Sequence, residues 1–201
     1  MADPTGNVRS FVAVELDGAL RQALADLQER LRRAPQARSG RWVDANNMHL
    51  TLRFLGDVPQ RLVPELVQAL VRACEGVAPL DVAVRGLGCF PNDQRPRVLW
   101  VGLEEPSGEL LRLQSAVESE LVRLGIRPEG RAFSPHLTLA RLRDQAGARE
   151  REDFGAWVRR QPPVDLGVLP VRQVVLMQSI LRPERAQYQR LGVAALGLCA
   201  R

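Results

Sequence analysis

The segment Phe11-Val12-Ala13-Val14-Glu15-Leu16 alternates like a strand and stops at Asp17, a residue suited to cap a helix. Leu20, Leu24, Leu27 and Leu31 then recur at helical spacing, and a loop rich in Pro, Gly and Ser around Pro35 to Gly40 leads to Arg41-Trp42-Val43 and His49. Arg61 to Cys74 carries Leu62, Leu66 and Leu70 on one helical face. Asp81 to Phe90 and Arg97 to Leu103 are predicted as strands separated by the turn Pro91-Asn92-Asp93. The pattern then restarts. Ser107 is placed to cap a helix striped by Leu110, Leu113, Val117, Leu121 and Leu124, and Gly125 to end it. After Ser134-Pro135-His136 come a polar stretch from Asp144 to Glu152 and a short helix near Phe154 to Arg160. Strand material follows from Val164 to Leu181 and from Tyr188 to Leu196.

Strands and helices mixed in this way predict an α+β protein with antiparallel sheet and helices outside. The 201 residues read as a single domain, 1–201, of two related, pseudo-symmetric lobes. The N-terminus has no apolar signal core and no run reaches the roughly 18 to 20 apolar residues of a membrane span, so a cytoplasmic protein with no membrane contact is expected. Cys74, Cys89 and Cys199 are odd in number and lack the spacing of a disulfide framework or zinc cage; they read as small buried apolar residues.

Composition changes this picture in one respect. All 28 basic residues are Arg and none is Lys, against 23 acidic residues, for a net charge of +5. Without Lys there is no P-loop, no Schiff base and no lysyl-adenylate. The excess of guanidinium groups favours an anionic partner, although most of the Arg must serve simply to solvate the surface.

The chemistry is concentrated in the only two histidines, which open identical tetrapeptides: His49-Leu50-Thr51-Leu52 and His136-Leu137-Thr138-Leu139. In a strand, His and the Thr two residues on share a face, while the leucines point the other way. Two such pairs across a cleft form a clamp for a tetrahedral anion, with one imidazole to take a proton, the other to give one, and hydroxyls for the non-bridging oxygens. No acidic third ligand adjoins either motif, which disfavours the rival use as a two-histidine metal site, and no cofactor is called for. Among the aromatics near these segments, which include Phe54, Phe133 and Tyr188, Trp42 and Phe90 are the preferred stacking partners for a base. Gly86-Leu87-Gly88 lacks the third Gly of a dinucleotide loop.

His49-Leu50-Thr51-Leu52-Arg53-Phe54-Leu55-Gly56 and Pro135-His136-Leu137-Thr138-Leu139-Ala140-Arg141 resemble the paired motifs of the 2H phosphoesterase superfamily. The likeness is greatest to its bacterial and archaeal RNA 2′,3′-cyclic phosphodiesterases, long called 2′-5′ RNA ligases. The resemblance implies a bilobed fold around a central cleft and metal-independent opening of a 2′,3′-cyclic phosphate at an RNA end or on a nucleoside, leaving a 2′-phosphomonoester. It implies His49 and His136 as the acid–base pair, Thr51 and Thr138 as phosphate ligands and Arg141 as a nearby positive charge. His136 as the base and His49 as the acid is one assignment; the likeness of the motifs permits the reverse. Strict alternation puts Arg141 on the face opposite His136 and Arg53 on the face of His49, so Arg141 reaches the phosphate only if the strand ends or bulges after Leu139. Ligation by the reverse reaction, action on small cyclic nucleotides, and non-catalytic binding of RNA ends stand as alternatives, and a monomer is expected.

Overall fold

The computed structural model describes residues 6–181 and 186–197. Among them the chain forms nine strands and four α-helices, arranged in two antiparallel sheets. The first sheet has the order β3 (His49–Pro59), β1 (Asn7–Glu15), β8 (Gln173–Leu181), β9 (Ala186–Ala195). The second has the order β2 (Gly40–Trp42), β6 (His136–Leu142), β5 (Val98–Glu104), β4 (Leu80–Phe90), β7 (Asp165–Val171). The fold is thus bilobed α+β, with one histidine motif on each sheet. Neither sheet is one half of the sequence, because β2 crosses to the second and the β8–β9 hairpin returns to the first. The return is pinned at Arg172, between β7 and β8, whose guanidinium donates to Leu80 O at 2.8 Å and Asp81 Oδ1 at 2.7 Å.

Helices α1 (Gly18–Arg32), α2 (Val63–Cys74), α3 (Glu109–Arg123) and α4 (Ala148–Arg159) each bury one stripe. Leu24, Leu27, Leu66, Leu70, Leu113, Leu121 and Phe154 join Val12, Leu50, Leu99, Leu137 and Leu139 of the two sheets in one continuous core. Each such side chain contributes roughly 1.5–3 kcal/mol by leaving water. Asp17 caps α1 as expected, accepting from Leu20 N at 2.7 Å. Gly125, at φ +82°, ends α3: its N–H donates to Val122 O at 2.9 Å and Ile126 N–H to Leu121 O at 3.1 Å, which closes the last turn.

Two local expectations change. Ser107 caps α3 only in part, its Oγ accepting from Glu109 N at 3.4 Å; Glu105 reaches forward to the helix start and accepts from Ser107 N at 2.8 Å and Leu110 N at 3.0 Å, since its longer arm spans the left-handed Gly108. α4 begins at Ala148, inside the polar stretch, because its first turns are solvent-facing and need no apolar stripe. Cys74 and Cys89 are buried, and desolvation pushes their thiols up to about 11 and about 12, so both stay protonated at neutral pH. Cys199 lies outside the described residues. Among the described residues no helix is long and apolar enough to cross a membrane.

Candidate active site

The cross-strand register carries the main local surprise. On β3, Thr51 pairs with Ala13 and Arg53 with Val12, leaving Leu52 as an extra residue; on β6, Thr138 pairs with Trp100 and Ala140 with Leu99, leaving Leu139 extra. Each H-L-T-L therefore ends in a β-bulge, which resets the alternation. Leu52 and Leu139 stay buried, the next residue in each strand (Arg53, Ala140) is buried as well, and the one after it (Phe54, Arg141) emerges on the face of the histidine. The bulge that Arg141 requires is present. The same device overturns the expectation for Arg53, which is turned into the protein at 7% exposure.

That burial is compensated by ion pairs and hydrogen bonds. Arg53 Nε lies 2.5 Å from Glu118 of α3, and Nη1 lies 2.7 Å from Phe54 O and 3.4 Å from Glu129; Nη2 donates to Arg127 O. Glu118 also accepts from Glu129 N at 2.8 Å. Arg53 thereby ties the bulge of β3 to α3 and to the segment that precedes His136. It does not face the cleft beside His49.

The cleft, of about 450 Å³, is lined by both histidines, both threonines, Arg141 and the aromatic rings of Phe11, Phe54 and Tyr188. A second compartment of about 400 Å³ shares Thr51, Phe54, His136, Thr138 and Arg141 and extends to Phe90 and Phe133. His49 is stacked on Phe11 at 4.6 Å and meets the edge of Tyr188 at 5.2 Å; His136 meets Phe90 edge-on at 4.8 Å. Each ring is anchored the same way. His49 Nδ1 is 2.9 Å from Asn47 O, and His136 Nδ1 is 2.8 Å from Ser134 O. A carbonyl only accepts, so Nδ1 carries the proton in both rings and Nε2 is left to exchange protons with a ligand.

Both imidazoles are held below their ordinary pKa. Burial among the aromatic rings lowers His49 to about 4, only partly offset by the Asn47 carbonyl and by Glu15, its cross-strand partner; a charge on His136 lowers it further. Burial lowers His136 too, with Arg141 adding to the effect and the Ser134 carbonyl opposing it. Both are therefore neutral near pH 7, and an arriving anion favours protonating one of them.

Of the remaining expected residues, Phe90 lies at the site and Trp42 does not. Trp42 pairs with Ala140, the residue the bulge turns inward, so it shares the core face; its indole N–H donates to Ala37 O at 3.2 Å and Arg32 covers its ring. Phe90 is backed at 5.2 Å by Trp100, whose ring lies across Gly88 where any side chain would collide, while Gly86 is required by its left-handed backbone at φ +73°. Phe11 and Tyr188 are not among the stacking partners the sequence singles out, because Phe11 comes beside the motif only through the register that pairs it with Phe54. Among the described residues no three His, Cys, Asp or Glu side chains are grouped to hold a metal ion.

A bilobed α+β protein whose two sheets each present an anchored imidazole and a hydroxyl to one cleft has the architecture of a paired-histidine phosphoesterase. The chain belongs to the LigT like Phosphoesterase family, whose model matches residues 14–100 and again 101–188, one histidine motif in each match. It is 33% identical over 189 residues to a protein named RNA 2′,3′-cyclic phosphodiesterase from Methanothermobacter thermautotrophicus, covering 94% of this chain and 99% of that one. Among solved structures, a protein of Thermus thermophilus superposes with a TM-score of 0.76 at 32% identity, covering 94% of this chain and 97% of that one. E. coli LigT complexed with 3′-AMP superposes with a TM-score of 0.75 at 26% identity, covering 96% and 99%.

Proposed function

We propose that this protein is an RNA 2′,3′-cyclic phosphodiesterase that opens the terminal cyclic phosphate to a 2′-phosphomonoester by two-histidine acid–base catalysis. The observation that carries this reading is the convergence of His49, His136, Thr51, Thr138 and Arg141 on one cleft, each imidazole with Nδ1 anchored and Nε2 free. The relatives' names, and the nucleotide held by E. coli LigT, support the substrate class.

The cyclic phosphate sits where the two compartments meet. One neutral imidazole takes a proton from water as the water oxygen bonds to phosphorus, and the other, protonated, delivers its proton to the departing 3′ oxygen as the P–O3′ bond breaks. The Thr51 and Thr138 hydroxyls donate to the non-bridging oxygens, and Arg141 offsets the charge that accumulates there. Exchange with solvent then returns each imidazole to its starting state. Phe90, at the edge of His136 and backed by Trp100, offers an apolar face for the terminal base.

The test is incubation with an RNA oligomer ending in 2′,3′-cyclic phosphate, with the product ends identified. The expected product is the 2′-phosphomonoester. Release of the 3′-phosphomonoester alone overturns the bond assignment, and binding without turnover makes the protein an RNA-end binder.

A further inference from the structure

A third hollow, of about 980 Å³, opens directly off the cleft: Arg141 lines all three, and Val98 lines both this hollow and the second compartment. Its walls carry Arg95, Arg97, Arg141 and Arg151 against the carboxylates of Asp144 and Glu152. The arginines are held in place by the backbone. Arg97 N–H donates to Phe90 O at 2.7 Å and its carbonyl accepts from Leu142 N at 2.9 Å, while Asn92 fastens the loop of Arg95 through its backbone N–H at 2.9 Å. The Arg151 guanidinium is spent on carbonyls, Pro96 O at 2.9 Å and Ala146 O at 3.0 Å among them, so its charge is not neutralised. The side chains of Arg95, Arg97 and Arg141 are exposed and make no ion pair among the described residues.

A second, independent observation lies in the register of the sheet. Arg41 of β2 is the direct cross-strand partner of Arg141, so two exposed guanidinium groups stand on one face, side by side. Like charges directly opposite each other destabilise a sheet. An arrangement of this kind at the mouth of a phosphate-binding cleft is relieved when a polyanion lies between them.

We infer that the strip Arg41–Arg141–Arg97–Arg95 is the track for the phosphodiester backbone of the RNA leading up to the reacting end, so that oligonucleotides are better substrates than mononucleotides. This rests on the function proposed above and adds to it which residues hold the strand beyond the reacting end. Guanidinium forks match phosphate oxygens without reading sequence, so the track selects length and not base identity.

The experiment compares a nucleoside 2′,3′-cyclic phosphate with a six-nucleotide RNA ending in 2′,3′-cyclic phosphate, for the wild type and for the double variant Arg95→Gln/Arg97→Gln. The wild type is expected to show the lower KM for the RNA. With two backbone contacts, that KM should rise roughly sevenfold between about 50 and 200 mM salt, from a slope of about 0.7 per phosphate. The double variant should lose most of this advantage and this salt dependence, with kcat and the mononucleotide KM unchanged. Equal KM for the two substrates in the wild type overturns the inference, as does a variant that leaves the RNA KM where it was or raises both KM values alike. If neither substrate is turned over, the proposed function fails. Anisotropy of a labelled RNA ending in a 2′-phosphate then still decides the track: weaker, less salt-dependent binding by the double variant supports it, and unchanged binding overturns it.

Discussion

Strands β3 and β6 begin with the same four residues, bulge at the same place and anchor their histidines through the same nitrogen, yet they diverge immediately afterwards. In β3 the bulge buries a cation and presents an aromatic ring, Arg53 inward and Phe54 outward; in β6 it buries a methyl group and presents the cation, Ala140 inward and Arg141 outward. His49 consequently sits in an aromatic box of Phe11 and Tyr188, while His136 has one ring, Phe90, and a guanidinium nearby. A shared device thus builds two chemically different halves of one cleft. The difference lies at the fifth residue after each His, where only one strand places a charge.

The comparison is broken most severely at the residues the strands share. His49→Ala and His136→Ala should each lower kcat by about 10³-fold, within the range of a positioned acid or base, with the circular-dichroism spectrum unchanged. Where the strands differ, Arg141→Gln should cost about 10²-fold in kcat/KM, as loss of a charged oxyanion donor does, whereas Phe54→Ala should change it by about threefold or less. Equal losses for those two would erase the asymmetry.

The depressed imidazoles make a prediction about pH. A group lowered below its ordinary value is neutral over more of the range, so the alkaline limb of kcat/KM, which needs one imidazole protonated, should have its midpoint below about 6.5, and the acid limb should fall near 4 if His49 is the base. Bound phosphate favours the proton, so the limbs of kcat should lie at higher pH than those of kcat/KM. Stability should also decline as pH drops from about 6.5 towards 4, because the unfolded chain takes up a proton that folded His49 refuses.

Smaller effects follow. Arg53→Gln leaves the carboxylate of Glu118 without its cation, while Glu129 loses one partner and keeps Arg131. It should cost about 2–3 kcal/mol in urea unfolding, less than a fully buried pair because both carboxylates are partly open to water, with activity per folded molecule reduced only a fewfold. Chelation by EDTA should leave the rate unchanged; a loss reversed by added zinc would replace the acid–base scheme with a metal one.

How far the sequence could be read follows from which signals are local. The strands and helices came from apolar periodicity, Asp17 and Gly125 marked helix ends by their own backbone chemistry, and the duplicated His-Leu-Thr-Leu named the residues that line the cleft. The bulges at Leu52 and Leu139 were not legible, because an extra residue is defined only against the strand opposite. With them went the true orientation of Arg53 and Arg141. Trp42 was misplaced for a related reason: its face is set by pairing with Ala140, which itself depends on the bulge. The aromatic box around His49 draws Phe11 from β1 and Tyr188 from β9, far apart in sequence, and the return of β8–β9 to the first sheet is a matter of topology that periodicity does not encode.

The central claim is that one anchored imidazole acts as base and the other as acid on the two sides of a single phosphorus. It is tested most directly by a cyclic substrate in which sulfur replaces the bridging 3′ oxygen, assayed with His49→Ala and His136→Ala. A thiolate leaves without a proton, so the variant lacking the acid should recover to within about tenfold of the wild type while the variant lacking the base should stay about 10³-fold down. Recovery of both variants, or of neither, would contradict the division of roles.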